Sequence, residues 1–98
     1  MGKYMYPAIF TKEDDGKYSI DFPDIQGCYT CGDDLKDGFE MAYDALSLMM
    51  TQIEDEGKEI PRPSSIGELT IRQDEFANYI FCDTVRYRSF LNPSQAVG

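Results

Sequence analysis

Histidine and tryptophan are absent from the 98 residues, and cysteine occurs only three times. Without histidine, the chain lacks the side chain that most often serves as a general acid or base near neutral pH. It contains no Ser–His or Cys–His pair for nucleophilic catalysis, and no glycine-rich loop that could hold a phosphate. We therefore predict that the protein is not an enzyme, has no catalytic residues and needs no cofactor.

Long hydrophobic runs are also missing, since no stretch approaches the roughly eighteen apolar residues that suggest a membrane span. The first ten residues, MGKYMYPAIF, lack the apolar core of a signal peptide. A chain of this length forms one domain with a single modest core. These features predict a soluble cytoplasmic protein with no membrane partner.

The few cysteines include one pair, Cys28 and Cys31, with a spacing that zinc and redox sites use. A structural zinc site needs about four ligands, and only Cys82 remains as a further Cys or His ligand. A redox motif of this spacing opens a helix after a strand, whereas this pair lies in a turn and a short strand. We expect no metal and no disulfide framework, and interpret the cysteines as packing residues.

Basic residues are scarce, with nine Lys and Arg against eighteen Asp and Glu and a net charge of −9. Residues 13–56 carry thirteen of the acids and only two lysines. This balance argues against direct nucleic-acid binding and favours a basic protein partner. The alternative is a solvated acidic surface that keeps a small protein in solution.

The first third of the chain predicts a three-stranded antiparallel meander. Residues 3–11 are apolar on both alternating faces, which is typical of a covered strand, although Pro7 favours an edge or a bulge. Asp15-Gly16 predicts a hairpin turn into a second strand at 17–22. Pro23 and Gly27 then bracket a turn before a third short strand at 28–32.

A long amphipathic helix is predicted next. Asp34 is its N-cap, and Asp37 stands three residues later in a pair that resembles a capping box. Apolar residues from Leu35 to Ile53 recur at spacings of four and three and form one stripe. Gly57 ends the helix.

Two prolines predict an extended connection at 60–65, and Ser65 can cap one short turn before an ambiguous stretch. Residues 76–85 predict a fourth strand, central or covered, and residues 85–88 either continue it or start a short helix. We expect this strand to lie beside the first strand and parallel to it. The resulting α+β fold, β-β-β-α-β, resembles part of a ribonuclease-H-like topology and occupies residues 1–91, with a linker or tail at 92–98.

Several motifs, in order, resemble the HicB-like antitoxins of bacterial HicA–HicB toxin–antitoxin pairs. Residues 4–8 and 15–20 are similar to the opening hairpin of that family. Residues 22–28, FPDIQGC, resemble its FPDLPGC signature, and residues 30–35 resemble its TxGDTL helix start. Residues 60–64, IPRPS, match its IPxPS segment.

The resemblance implies a partial ribonuclease-H-like domain that does not cut nucleic acid. Such a domain binds HicA, a small basic mRNA-cleaving toxin, and its acidic surface would cover the active face of the toxin. Family members usually continue into a C-terminal DNA-binding domain, and this chain ends where the linker to that domain would begin. We therefore expect no direct nucleic-acid binding by this chain. Asp34, Gly38 and Gln26 depart from the family pattern.

We expect the toxin to be bound by acidic contacts and apolar anchors. The acidic contacts are Asp24, Asp33, Asp34, Asp37, Glu40 and Asp44, and the anchors are Phe22, Ile25 and Tyr43. The alternative is that Phe22 belongs to the core and that the acids cap the helix or face solvent.

Two other functions stay open, a stand-alone acidic protein-interaction module and a residual metal-dependent nuclease. A free edge strand and the Tyr4/Tyr6 face also favour a homo-oligomer.

Overall fold

The computed structural model describes residues 2–91, which form a four-stranded sheet with a long helix across one face. The elements are β1 (Lys3–Lys12), β2 (Tyr18–Asp21), β3 (Tyr29–Gly32), α1 (Leu35–Glu56), a short 3-10 helix (Ile66–Glu68), β4 (Glu75–Asp83) and α2 (Thr84–Leu91). The sheet order is β3-β2-β1-β4. The predicted α+β class, the antiparallel meander and the return of a fourth strand are confirmed. Residues 92–98, predicted as a linker or tail, lie outside the described residues.

The predicted direction of β4 was wrong, because β4 runs antiparallel to β1. Lys3 pairs with Asp83 and Thr11 pairs with Glu75. The reason is the connection at 57–74, which starts where α1 ends beside the first residues of β1. The connection then runs back along the sheet, so that β4 begins near the end of β1.

β1 is an interior strand, and β4 lies at an edge of the described sheet. The expectation that the fourth strand is central was therefore wrong, whereas the edge expected at Pro7 is present locally. β2 pairs with β1 only from Ile9 to Lys12, so one side of Pro7 has no strand neighbour and its missing N–H is tolerated.

Within residues 2–91, only one face of the sheet is covered by a helix. Tyr6, Ala8 and Phe10 are buried on that face. On the opposite face, Met5 is 52% exposed and its β4 partner Phe81 is 53% exposed. The prediction of cover on both faces of β1 and β4 was therefore wrong in the part of the chain that the structure describes.

The core lies between the sheet and α1. It consists of Tyr6, Ala8, Phe10, Ile20, Phe22, Ile25, Cys28, Ala42, Leu46, Met50, Ile80 and Cys82. The predicted helix stripe supplies Ala42 and Leu46, both fully buried, whereas Leu35 at its start is exposed. Burial of these side chains, rather than helix propensity, supplies most of the stability of α1.

Both ends of α1 form as predicted. The Asp34 carboxylate accepts a hydrogen bond from the Asp37 backbone N–H at 2.8 Å. The Asp37 carboxylate accepts one from the Asp33 N–H at 2.9 Å, one residue earlier than in a strict capping box. Gly57 closes the helix in the left-handed region with φ of 68°.

Side-chain contacts attach the long connection to the sheet. Asp24 accepts hydrogen bonds from the backbone N–H and the hydroxyl of Ser64, and the Tyr79 hydroxyl accepts one from the Ile66 N–H. Ser65 is the N-cap residue of a short 3-10 turn, as predicted, and its backbone N–H donates to the Glu68 carboxylate at 2.8 Å. None of the helices within residues 2–91 has the length and apolar character needed to cross a membrane.

Candidate partner-binding surface

Five of the six predicted acidic contacts lie together at the start and on the outer side of α1. Asp33, Asp34, Glu40 and Asp44 are exposed, and Asp37 is half-buried. Asp33 and Asp34 lie between β3 and α1, and the first three turns of the helix carry the other three carboxylates. The structure thus brings together most of the acids that the sequence singled out.

The five carboxylates differ in what they contact within the protein. Asp34 and Asp37 accept backbone hydrogen bonds at the helix start, which holds their side chains in place. Glu40 forms an i,i+4 ion pair with Lys36 at 2.8 Å, and this pairing raises the pKa of Lys36. Among residues 2–91, neither Asp33 nor Asp44 makes an ion pair. Their charges are therefore directed to solvent or to a partner.

Asp24, the sixth acid, lies apart from this group in the turn between β2 and β3. Its two carboxylate oxygens accept hydrogen bonds from Ser64, at 2.8 Å from the backbone N–H and 2.7 Å from the hydroxyl. The contact joins residues forty positions apart in the sequence. Asp24 therefore has a structural role in fastening the long connection.

The three predicted apolar anchors do not form an exposed patch. Phe22 is 1% exposed and Ile25 is 3% exposed, so both belong to the core, and the expectation that they are surface anchors is corrected. They are buried because the turn after β2 folds under α1 rather than away from it. Tyr43 is half-buried and packs at the border of the core.

Sequence reasoning missed the contribution of α2, whose residues are 40 or more positions from the acids. Arg88 on α2 forms ion pairs with Glu54 and Asp55, each at 3.0 Å. It also donates to the Thr51 carbonyl. These contacts hold α2 against the C-terminal part of α1. The only signal in the sequence was the ambiguity of residues 85–88.

Glu54 is the centre of this attachment. One of its oxygens accepts hydrogen bonds from the hydroxyls of Tyr4 at 2.6 Å and Thr84 at 2.9 Å, while the other faces Arg88. Burial on its own would raise the pKa of Glu54, but the hydrogen bonds from Tyr4, Arg88 and Thr84 outweigh burial and lower that pKa. The ionised carboxylate thus links β1, α1 and α2.

The cysteine pair does not form a reactive centre. Cys28 is buried, and burial raises the pKa of its thiol to about 11, so the thiol stays protonated at neutral pH. Cys31 is exposed on the open face of the sheet, and both thiols are free. Within residues 2–91, no group of three or more His, Cys, Asp or Glu side chains could hold a metal ion.

A family described as HicB-like antitoxin of bacterial toxin–antitoxin systems matches residues 6–86. The chain belongs to this family.

Relatives in sequence include an antitoxin. "Antitoxin HicB 1" of Photorhabdus laumondii is 33% identical over 63 residues, which covers 64% of this chain and 41% of the relative. An uncharacterised 14.9 kDa protein of Haemophilus phage HP1 is 32% identical over 76 residues, covering 78% of this chain and 56% of that protein. The chain thus spans about half the length of these curated relatives.

Solved structures share the fold. A toxin–antitoxin complex from Streptococcus pneumoniae aligns with a TM-score of 0.78 at 21% identity and covers 87% of this chain and 72% of that one. The N-terminal domain of the Burkholderia pseudomallei antitoxin HicB aligns with a TM-score of 0.68 at 18% identity, covering 79% and 95%. The antiparallel four-stranded sheet with one long helix is therefore an architecture that HicB structures have.

Proposed function

We propose that this chain binds and neutralises a small basic mRNA-cleaving toxin by covering its active face with the acidic outer side of α1. The observation that carries the proposal is the cluster of five carboxylates, Asp33, Asp34, Asp37, Glu40 and Asp44, in a member of the HicB-like antitoxin family. The chain acts by binding rather than by catalysis, in the bacterial cytoplasm where mRNA is present.

The physical basis is competition between two polyanions for one basic surface. A toxin that cleaves mRNA must attract phosphates with positive charge. The carboxylates on α1 offer that charge an alternative partner, and complementary fields speed the encounter. Asp34 and Asp37 are held by helix-capping hydrogen bonds, so less side-chain freedom is lost when a partner binds.

The test is co-purification with the short basic protein encoded beside the gene, followed by RNA cleavage assays with the complex. The first variant removes four charges from the acidic cluster but leaves the Asp34 cap, and the control removes four exposed charges elsewhere. The first variant is Asp33→Asn, Asp37→Asn, Glu40→Gln and Asp44→Asn. The control variant is Asp14→Asn, Asp15→Asn, Glu59→Gln and Asp74→Asn.

Both variants remove four negative charges from a net charge of −9, so a difference between them reports position rather than total charge. We expect about 100-fold weaker binding by the first variant, from ~0.5–1 kcal/mol for each of the four carboxylates, and restored RNA cleavage. The control should bind within about threefold of the parent chain. A toxin that is equally inhibited by both variants would contradict the proposal. Binding of no toxin at all would instead favour a stand-alone interaction module.

A further inference from the structure

A groove of about 460 Å³ lies between α1 and α2, and Thr30 of β3 also lines it. Its apolar walls are Met41, Ala45 and Leu48 on α1 and Tyr87 and Leu91 on α2. Met41 is 37% exposed, Leu48 is 48% exposed and Leu91 is 55% exposed. Side chains of this size on adjacent walls make a continuous apolar patch, which in a small protein marks an interaction surface.

The groove is preformed because α2 is fixed to α1 at one end. Arg88 pairs with Glu54 and Asp55 and donates to the Thr51 carbonyl. Thr84, at the start of α2, donates to the Glu54 carboxylate. A partner would therefore meet two ordered walls, and Met41 can adjust its side chain to the shape that enters.

Charge and apolar surface alternate along the α1 wall. Asp37, Met41, Asp44 and Leu48 follow one another at spacings of four, three and four residues, so they lie on one stripe of the helix. Asp44 lines the groove directly. The occupant that fits such a stripe has apolar and basic side chains on the same face.

The charge also argues against two other occupants. A second copy of this chain would bring the same carboxylates and a net charge of −9, so the two grooves would repel each other. A nucleic acid would bring phosphates to Asp37 and Asp44, which costs free energy at close range. A basic segment of a protein meets neither penalty.

We propose that this groove receives an amphipathic basic helix of the protein partner. Its apolar side chains lie between Met41, Leu48 and Leu91, and its Lys or Arg side chains pair with Asp37 and Asp44, as in other helix-in-groove complexes. The proposal rests on the proposed function in taking the basic toxin as that partner. It adds an apolar anchor to the acidic contacts.

The experiment uses the full chain and two matched double variants that leave its charge unchanged. Met41→Ser with Leu48→Ser removes the apolar wall of the groove. Met5→Ser with Phe81→Ser removes two side chains on the open face of the sheet, which are 52% and 53% exposed. Circular dichroism checks that both variants fold.

Calorimetry with the purified toxin should give at least about 30-fold weaker binding for the groove variant and less than about threefold change for the sheet variant. A second probe is an 18-residue peptide of Leu and Lys with all leucines on one helical face. Its control is a peptide of the same composition with the leucines dispersed. We expect the amphipathic peptide to bind the parent chain and to lose binding to the groove variant.

The outcomes separate the two proposals. If the toxin loses affinity when the carboxylates are neutralised but binds the groove variant normally, the groove proposal is overturned and the proposed function stands. If no toxin binds but the amphipathic peptide still requires Met41 and Leu48, the groove stands and the proposed function fails. Self-association that the groove variant abolishes, or RNA binding at the groove, would overturn the proposal.

Discussion

Two glycines fix the acidic start of α1 to the sheet. A Cβ atom on Gly32 would lie 2.4 Å from both the N and Cα atoms of Gly38, so the backbones of β3 and α1 touch there. A Cβ on Gly38 would meet only side chains, the nearest being the end of Ile20 at 3.3 Å. Gly32 is therefore required by backbone contact, whereas Gly38 faces groups that can move.

These two positions should respond differently to the same substitution. Gly32→Ala should lower the free energy of unfolding by about 1–3 kcal/mol, because a methyl group meets backbone that cannot move aside. Gly38→Ala should be close to neutral, because the better helix propensity of Ala, ~1 kcal/mol, offsets the displacement of Ile20. Urea unfolding of the two variants measures both values. If both substitutions destabilised the protein equally, the close backbone contact at Gly32 would not be the cause of the loss.

At the scale of the elements, α2 is attached to the body of the protein mainly through Glu54. Because folding lowers the pKa of Glu54 below its ordinary value, about 4.5, the ionised carboxylate stabilises the folded state above that pH. The stabilisation is lost as the pH falls through the folded pKa. Arg88 stays charged throughout, so Glu54 alone of this ion pair titrates.

We therefore predict that Glu54→Gln lowers the free energy of unfolding at pH 7 by about 1–3 kcal/mol, since hydrogen bonds to a charged group are lost. The variant should also lose less stability than the parent chain between about pH 5 and pH 3, because it lacks the titrating group. Urea unfolding across this pH range measures both effects.

Asp55→Asn is the matched control for this prediction, because Asp55 contacts the same arginine but its side chain is 61% exposed. An exposed ion pair contributes about 0–1 kcal/mol, so the control should change little. If the two variants behaved alike, the attachment of α2 would not depend on the Glu54 network.

For the whole molecule, the acids are concentrated in residues 13–56. Such a one-sided field acts over the Debye length, which falls from ~10 Å at 0.1 M salt to ~3 Å at 1 M. We predict that the association rate with the proposed toxin partner falls at least about tenfold over this range, whereas the dissociation rate changes less. Stopped-flow or surface plasmon resonance measures the two rates. An association rate that does not depend on salt would contradict a steering role for the acidic cluster.

The candidate site was only partly predictable from the sequence. The acids at the start of α1 were identified because helix-capping residues act within one turn of each other. Their exposure follows from the apolar stripe of α1, which faces the sheet and leaves the opposite side of the helix to solvent. Phe22 lies two residues after Ile20, so strand alternation places it on the core face, and its choice as an anchor went against that pattern. Ile25 was misplaced because turn residues do not tell which way a turn folds. The groove forms because Leu48 on α1 and Leu91 on α2 line the same cavity. No local sequence pattern predicts that these two helices lie side by side.

By itself, the sequence determined the meander, both ends of α1 and the acidic stretch. Asp15-Gly16, Asp34 with Asp37, and Gly57 each act through bonds within a few residues of themselves. Only the tertiary structure decided the direction of β4 and the position of α2. Those depend on the path of residues 57–74 and on Glu54 meeting side chains 30 and 50 positions away, and such contacts form only when the whole chain is folded.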